Sequence, residues 1–172
     1  MVASRTATES DIYVALESVN DPEMPINIVD LGMIGDVRLD GTGCGVEVDV
    51  QLLPTFVGCP ALPMIAENVE KAVGACEGVK GVTVSFVFDP PWSVDRISDR
   101  GRISLAGLGV SVPLPPAADC TESGLRPDDK AVACPFCGSG DTSMESRFGP
   151  TRCRMIYYCR GCRNSFEHMK RL

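Results

Sequence analysis

The chain has 172 residues, 44% of them hydrophobic and 23% charged, with a formal net charge of −7. This is the balance of a folded soluble protein rather than a disordered one, and the length suffices for one ordinary domain plus a small module. No run of about 18 apolar residues occurs, which excludes a helical membrane span.

Residues 1–10 lack the apolar core of a secretory signal. Nine cysteines in such a chain imply reduced thiols, used for metals or for reactivity, so the expected compartment is the cytoplasm.

In chain order, residues 8–19 read as an amphipathic helix. Ile12, Leu16 and Val19 share a face, and Thr8 or Ser10 is the cap. Asp21-Pro22 ends it, because proline forces the preceding residue out of helical geometry. An irregular stretch, Asp21 to Gly32, leads to strands over 33–39 and 45–52, joined by the hairpin chemistry of Asp40-Gly41-Thr42-Gly43. The second strand alternates Val46, Val48 and Val50 with Glu47, Asp49 and Gln51.

Residues 61–76 carry Leu62, Ile65, Ala66, Val69, Val73 and Cys76 on one helical stripe. Pro60 and Pro63 mark its start. A strand over 81–88 should turn Val82, Val84, Phe86 and Phe88 inward, and Ser93 should cap a short helix reaching about Arg100. The order predicts an α+β domain over residues 1–109, a small mixed sheet with helices on one face. Residues 110–130 read as a proline-rich linker. Residues 131–172 read as a separate β zinc ribbon.

The ribbon rests on four cysteines. Cys134 and Cys137 form one C-x-x-C pair, Cys159 and Cys162 a second, with 21 residues between the pairs. Gly138 after the first pair and Gly161 inside the second suit tight bending around a metal. Two such knuckles give the tetrahedral sulfur cage that Zn2+ prefers, and the expected metal is a structural zinc. Disulfides, a redox C-x-x-C or a rubredoxin-like iron are the rival readings. Cys153 is expected outside the cage. Residues 131–172 hold seven Lys/Arg against three Asp/Glu, whereas residues 1–130 hold nine against 20. Four thiolates around Zn2+ add −2, leaving the ribbon only weakly basic, and the acidic body repels phosphate backbones. The expected partner is therefore a protein, not nucleic acid.

In the first domain, Cys59 joins the alternating strand to the main helix. Placed at the helix N-cap, its thiolate is favoured by unpaired amides and the helix dipole. Gly58 allows close approach of a ligand, and Thr55 offers a hydroxyl. The rival reading is a small buried cysteine of no chemical consequence. Asp21, Glu23 and Asp30 crowd the irregular stretch. They read either as a carboxylate cluster for metal handling or, the favoured reading, as capping and turn residues. Trp92 reads as a packing anchor. Cys44 and Cys76 read as structural.

Several of these segments also carry a resemblance. Asp21-Pro22-Glu23, Asp30-Leu31-Gly32 and the run from Thr55 through Cys59-Pro60 resemble the small domain of iron–sulfur assembly factors such as SufT and their eukaryotic cytosolic relatives. Asp89-Pro90-Pro91-Trp92 and the ribbon, with Phe148-Gly149-Pro150-Thr151 and Cys153, narrow the likeness to the PaaD (or PaaJ) family of the bacterial phenylacetyl-CoA epoxidase system. The likeness runs from about Ile12 to Lys170. It implies a cytosolic accessory protein of aerobic phenylacetate degradation that helps mature the metal centre of the epoxidase, the 2Fe–2S cluster of its reductase above all. It implies the reductase and oxygenase components as protein partners. It also matches Cys59 to the family's domain cysteine, and Cys134, Cys137, Cys159 and Cys162 to its ribbon.

Conventional catalytic signals are missing from the sequence. His168 is the sole histidine and lies in the ribbon, and no phosphate-binding loop, dinucleotide fingerprint or E-x-x-H pair occurs. Three functions remain open on this reading. One is a maturation factor that uses Cys59, with Asp30 or Glu23, for transient contact with iron or an iron–sulfur cluster. The others are a thiol-dependent redox enzyme using Cys59 and a structural subunit of the epoxidase.

Overall fold

A computed structural model of the chain describes residues 6–41, 45–114 and 132–171. Cys44 and most of the expected linker lie outside these residues. The chain up to Trp92, with Arg96–Gly101, forms one compact unit; Ser93–Asp95, with the described residues from Arg102 onward, forms a second.

The first unit is α+β. Helix α1 (Glu9–Glu17) opens with a reciprocal capping box between Thr8 and Asp11, and buries Ile12 and Leu16 completely. Strands β1 (Ile34–Asp40) and β2 (Val46–Leu52) pair antiparallel, and β2 pairs parallel with β3 (Val79–Phe86). The parallel pairing requires a crossover, and α2 (Leu62–Gly74) supplies it. Val46, Val48, Val50 and Leu52 are all buried. In register with them lie Leu39 and Val37 on β1, and Val82, Val84 and Phe86 on β3. Helix α2 lies against β3 with Ile65, Val69 and Val73 buried, and α1 lies against α2 and β1. The expected mixed sheet is thus present. Phe88, expected inward, falls two residues beyond the end of β3 and is 51% exposed.

The loop Asp30-Leu31-Gly32 is held by the segment 92–101. Backbone Ser98 N donates to the Asp30 carbonyl (3.0 Å), Trp92 Nε1 to that of Leu31 (3.0 Å), and Arg96 Nε to that of Gly32 (2.9 Å). Arg96 Nη2 also reaches Ile34 O at 2.7 Å. The Asp30 carboxylate accepts from Asn27, Ser98 and Arg100 at 2.6–2.7 Å. Burial alone would raise its pKa, but these hydrogen bonds and the Arg100 charge outweigh it and hold Asp30 below the usual carboxylate range. Trp92 is therefore a buried anchor, as expected.

The helix expected from Ser93 to about Arg100 is split. Ser93 Oγ accepts from Asp95 N to cap a single 3-10 turn, Val94–Arg96. Ser98 then accepts from Gly101 N at the head of α3 (Asp99–Gly107). The break lets Arg96 and Ser98 face the 30–34 loop.

In the second unit, β4 (Val110–Ser111), β5 (Thr142–Ser146), β6 (Arg154–Cys159) and β7 (Ser165–Met169) form a sheet in the order β4-β7-β6-β5. The start of the expected linker thus contributes a strand, parallel to β7. Met155, Tyr157 and Phe166 make the core with Cys134 and Cys159, the Tyr157 and Phe166 rings stacking at 5.7 Å. His168 is buried, with Nδ1 2.7 Å from Ser111 Oγ and its ring edge-on to Tyr157. Arg102 donates to the carbonyls of Val94 and Pro113, and Arg171 to the Asp95 carboxylate.

Gly32 has φ +72°, and a Cβ there would lie 2.5 Å from the Arg96 carbonyl oxygen and 2.6 Å from its Cβ. Gly32→Ala is expected to lower stability by about 2–4 kcal/mol through left-handed strain and overpacking. At Gly74, where a Cβ would meet only Val82 Cγ2 at 3.8 Å, the same change should be neutral or stabilising. Denaturant midpoints of the two variants check this, and equal midpoints would contradict the clasp.

Candidate metal centre and the Cys59 loop

The two cysteine knuckles are built alike. In the first, Cys134 N donates to Ser139 O (2.9 Å) and Gly138 N to Cys134 O (2.9 Å). In the second, Cys159 N donates to Asn164 O (3.0 Å) and Arg163 N to Cys159 O (2.8 Å). Each turn requires a left-handed residue after its second cysteine, Gly138 at φ +73° and Arg163 at φ 60°. Gly161, expected to be the bending residue of the second knuckle, serves instead for close approach. A Cβ on it would stand 3.1 Å from the Ser139 side chain. The signal for Arg163 lies in the parallel between C-x-x-C-Gly-Ser and C-x-x-C-Arg-Asn.

The result is a four-sulfur cluster. The Sγ atoms of Cys134, Cys137, Cys159 and Cys162 lie within 4.8 Å of one another, with the 134–162 and 137–159 pairs at 3.6 Å. A tetrahedron with zinc–sulfur bonds of about 2.3 Å has edges near 3.8 Å, so the donor set fits zinc in both chemistry and spacing. All four thiols are free, which disposes of the disulfide reading in this structure. Cys153 is buried apart from them, 3.1 Å from Thr151 Oγ1.

The cluster is polarised. At Cys137 a backbone hydrogen bond from Ser139 favours the thiolate, yet desolvation and the three neighbouring sulfurs outweigh it and push the thiol up to about 12. At Cys162 desolvation is outweighed by the Asn164 backbone bond and its sulfur neighbours, bringing it down to about 7. Without a cation Cys162 gives up its proton readily and Cys137 resists doing so. A divalent metal stabilises all four thiolates, so loading releases protons.

Cys59 sits differently from expectation. The N-cap of α2 is Ala61, not Cys59, and no side chain caps it. Cys59 lies two residues earlier and contributes its carbonyl, which accepts from Leu62 N at 3.4 Å. Pro60 and Pro63 lack amide hydrogens, so fewer donors surround the helix start than its position in the sequence suggested. The side chain is half-buried on a loop whose root, Leu53 to Thr55, is buried and whose crest, Val57 and Gly58, is exposed.

Asp21, Glu23 and Asp30 do not form a group of three placed to share one metal ion. Asp21 Oδ1 accepts from the amides of Glu23 and Met24, Asp30 belongs to the clasp, and Glu23 is exposed. Among the described residues, the four ribbon cysteines are the one group of three or more Cys, His, Asp or Glu side chains placed to share a metal.

A small mixed sheet with a crossover helix, followed by a four-cysteine ribbon, defines an iron–sulfur assembly domain joined to a zinc β-ribbon. Residues 9–86 match the iron–sulfur cluster assembly protein family, and residues 118–170 match the PaaD zinc beta ribbon domain. The chain is 34% identical to an Escherichia coli (strain K12) protein described as one of the subunits of a "Putative 1,2-phenylacetyl-CoA epoxidase", over 93% of this chain and 91% of that one. It therefore belongs to the PaaD family of phenylacetyl-CoA epoxidase subunits. The first unit is also 39% identical to an "Fe-S protein maturation auxiliary factor" of Porphyromonas gingivalis, covering 59% of this chain and 93% of that protein. A crystal structure of a DUF59 domain from Bacillus anthracis covers 56% of this chain and 90% of its own, at 34% identity and TM-score 0.50. No helix among the described residues is long and apolar enough to cross a membrane.

We assign the zinc of the ribbon to Cys134, Cys137, Cys159 and Cys162. Purified protein is expected to hold about one zinc per chain, bound by four sulfurs. Cys137→Ser should lose the metal and Cys153→Ser should keep it. Metal analysis of both variants checks the assignment, which fails if Cys153→Ser empties the site or Cys137→Ser retains full zinc.

Proposed function

We propose that this chain assists maturation of the metal centre of the phenylacetyl-CoA epoxidase, with the 2Fe–2S cluster of the reductase component as the client. The observation that carries the reading is the placement of Cys59. A half-exposed thiol stands on an anchored loop with small and apolar neighbours, in the unit that matches the iron–sulfur assembly family. Such a thiolate offers iron or a cluster one soft ligand while leaving other positions to the donor or client, which suits transient transfer rather than storage. Thr55, Asp30 and Glu23 then act in support. Thr55 is buried at the root of the Cys59 loop, Asp30 is held in the clasp, and Glu23 is exposed.

Catalysis on a small substrate has little to work with. His168, the sole histidine, is buried against Tyr157 and Ser111, so its ring is already engaged within the ribbon. Zinc, held by four sulfurs, leaves no open position for a substrate and supplies structure only.

The test is Cys59→Ala in cells that produce the epoxidase. The variant should fold with wild-type zinc content, because truncating one half-exposed thiol costs little. The reductase isolated from those cells should be cluster-poor and inactive. Full cluster occupancy with normal epoxidase activity would eliminate the maturation role and leave a structural subunit.

A further inference from the structure

The loop joining β5 to β6, Arg147 to Cys153, is organised in a way that the fold of the second unit does not use. Phe148 at its tip is 83% exposed, whereas Phe166 in the same unit is 3% exposed and forms the core with Met155 and Tyr157. An aromatic ring kept in water forfeits the burial such side chains ordinarily contribute. Floppiness does not account for it, since the loop is pinned at almost every residue. Phe148 N donates to Ser146 Oγ (3.0 Å), and that hydroxyl donates to Phe148 O (2.9 Å). Gly149 N donates to Arg154 O (3.0 Å), Arg154 Nε to Thr151 Oγ1 (2.7 Å), and Lys170 N to Cys153 O (2.9 Å). Gly149 passes so close to Arg154 that a Cβ would stand 2.9 Å from its carbonyl group.

The surroundings are cationic. Arg147 and Arg152 are exposed on either side of the tip, and Lys170 Nζ bonds Arg152 O (2.7 Å) while standing 5.8 Å from the Phe148 ring centre. From Arg147 to Arg154 there is no acidic residue, and buried Arg154 pairs with Glu167. An exposed aromatic on a hydrogen-bonded loop, with Lys170 beside its ring and exposed arginines flanking it in sequence, has the composition of an interface anchor, with little ordering entropy left to lose on binding.

We propose that the Phe148 loop docks this chain onto another component of the epoxidase, Phe148 entering an apolar pocket whose rim carries carboxylates that meet Arg147 and Lys170. The partner's identity rests on the maturation reading above; its chemistry follows from the loop. A polyanion is disfavoured because the chain as a whole carries −7 and repels a continuous phosphate backbone, whereas carboxylates around one pocket act at short range.

Isothermal titration of the full-length, zinc-loaded chain against each purified epoxidase component tests this. Phe148→Ala should weaken binding by about 30-fold or more. Arg147→Glu should weaken it by about tenfold, the deficit shrinking as salt is raised. Both should keep wild-type zinc content and thermal unfolding, because neither side chain is part of the core. If the wild type binds a component and both variants bind it equally well, the loop is not the docking surface, and the maturation reading is untouched. If the wild type binds no component, both fall. A dimer of this chain dispersed by Phe148→Ala, or single-stranded RNA binding abolished by it, without binding to any epoxidase component, would give the loop a different occupant and overturn the proposal.

Discussion

Four sulfurs drawn within 4.8 Å of one another are the constraint on which the second unit depends. In the cluster around Tyr157 and Phe166, two of the five buried members, Cys134 and Cys159, are themselves in the cage. Cage and cluster are thus one body, and a metal bound by the four sulfurs adds its binding free energy to the burial of that cluster. The cage also fixes both knuckles and so sets the start of β7 and the end of β6, from which β4 and β5 take their register. Removing the cation leaves the Cys137 thiol pushed up to about 12 beside the Cys162 thiol brought down to about 7.

The first unit is held by a different device. Its core would form from α1, α2 and the three strands, yet the segments bearing Asp30 and Gly32 are irregular. They are fixed by donors from Trp92, Arg96, Ser98 and Arg100. The Asp30 carboxylate is thereby engaged in the clasp. The loop from Thr55 to Pro60, buried at its root and with Cys59 half-buried, carries the proposed role. Among the described cysteines, four build the cage, Cys153 is buried outside it, and Cys59 and Cys76 lie half-buried in the first unit.

Local patterning was legible. The alternation Val46, Val48, Val50, the stripe Ile65, Val69, Val73 and the spacing of the four cysteines each depend on neighbours within a few residues, and each appears where its period places it. What was not legible involves distance or geometry. The clasp joins residues 61 to 70 positions apart, and no local pattern announces it. The cap of α2 moved from Cys59 to Ala61 because two prolines bracket the turn and delay the helix. Val110 and Ser111 read as linker because two residues are too few to show a period, and only pairing with β7 makes them a strand. Arg163 occupies a left-handed position where glycine would be the natural guess.

The account makes the zinc a structural element and places iron–sulfur chemistry elsewhere. Amide hydrogen exchange on the full-length protein, with zinc bound and after its removal by a chelator, tests that division most directly. The account predicts that amides of β5, β6 and β7 lose protection when zinc is removed, while those of β1, β2 and β3 keep theirs. Ribbon strands that stay equally protected without the metal would contradict it.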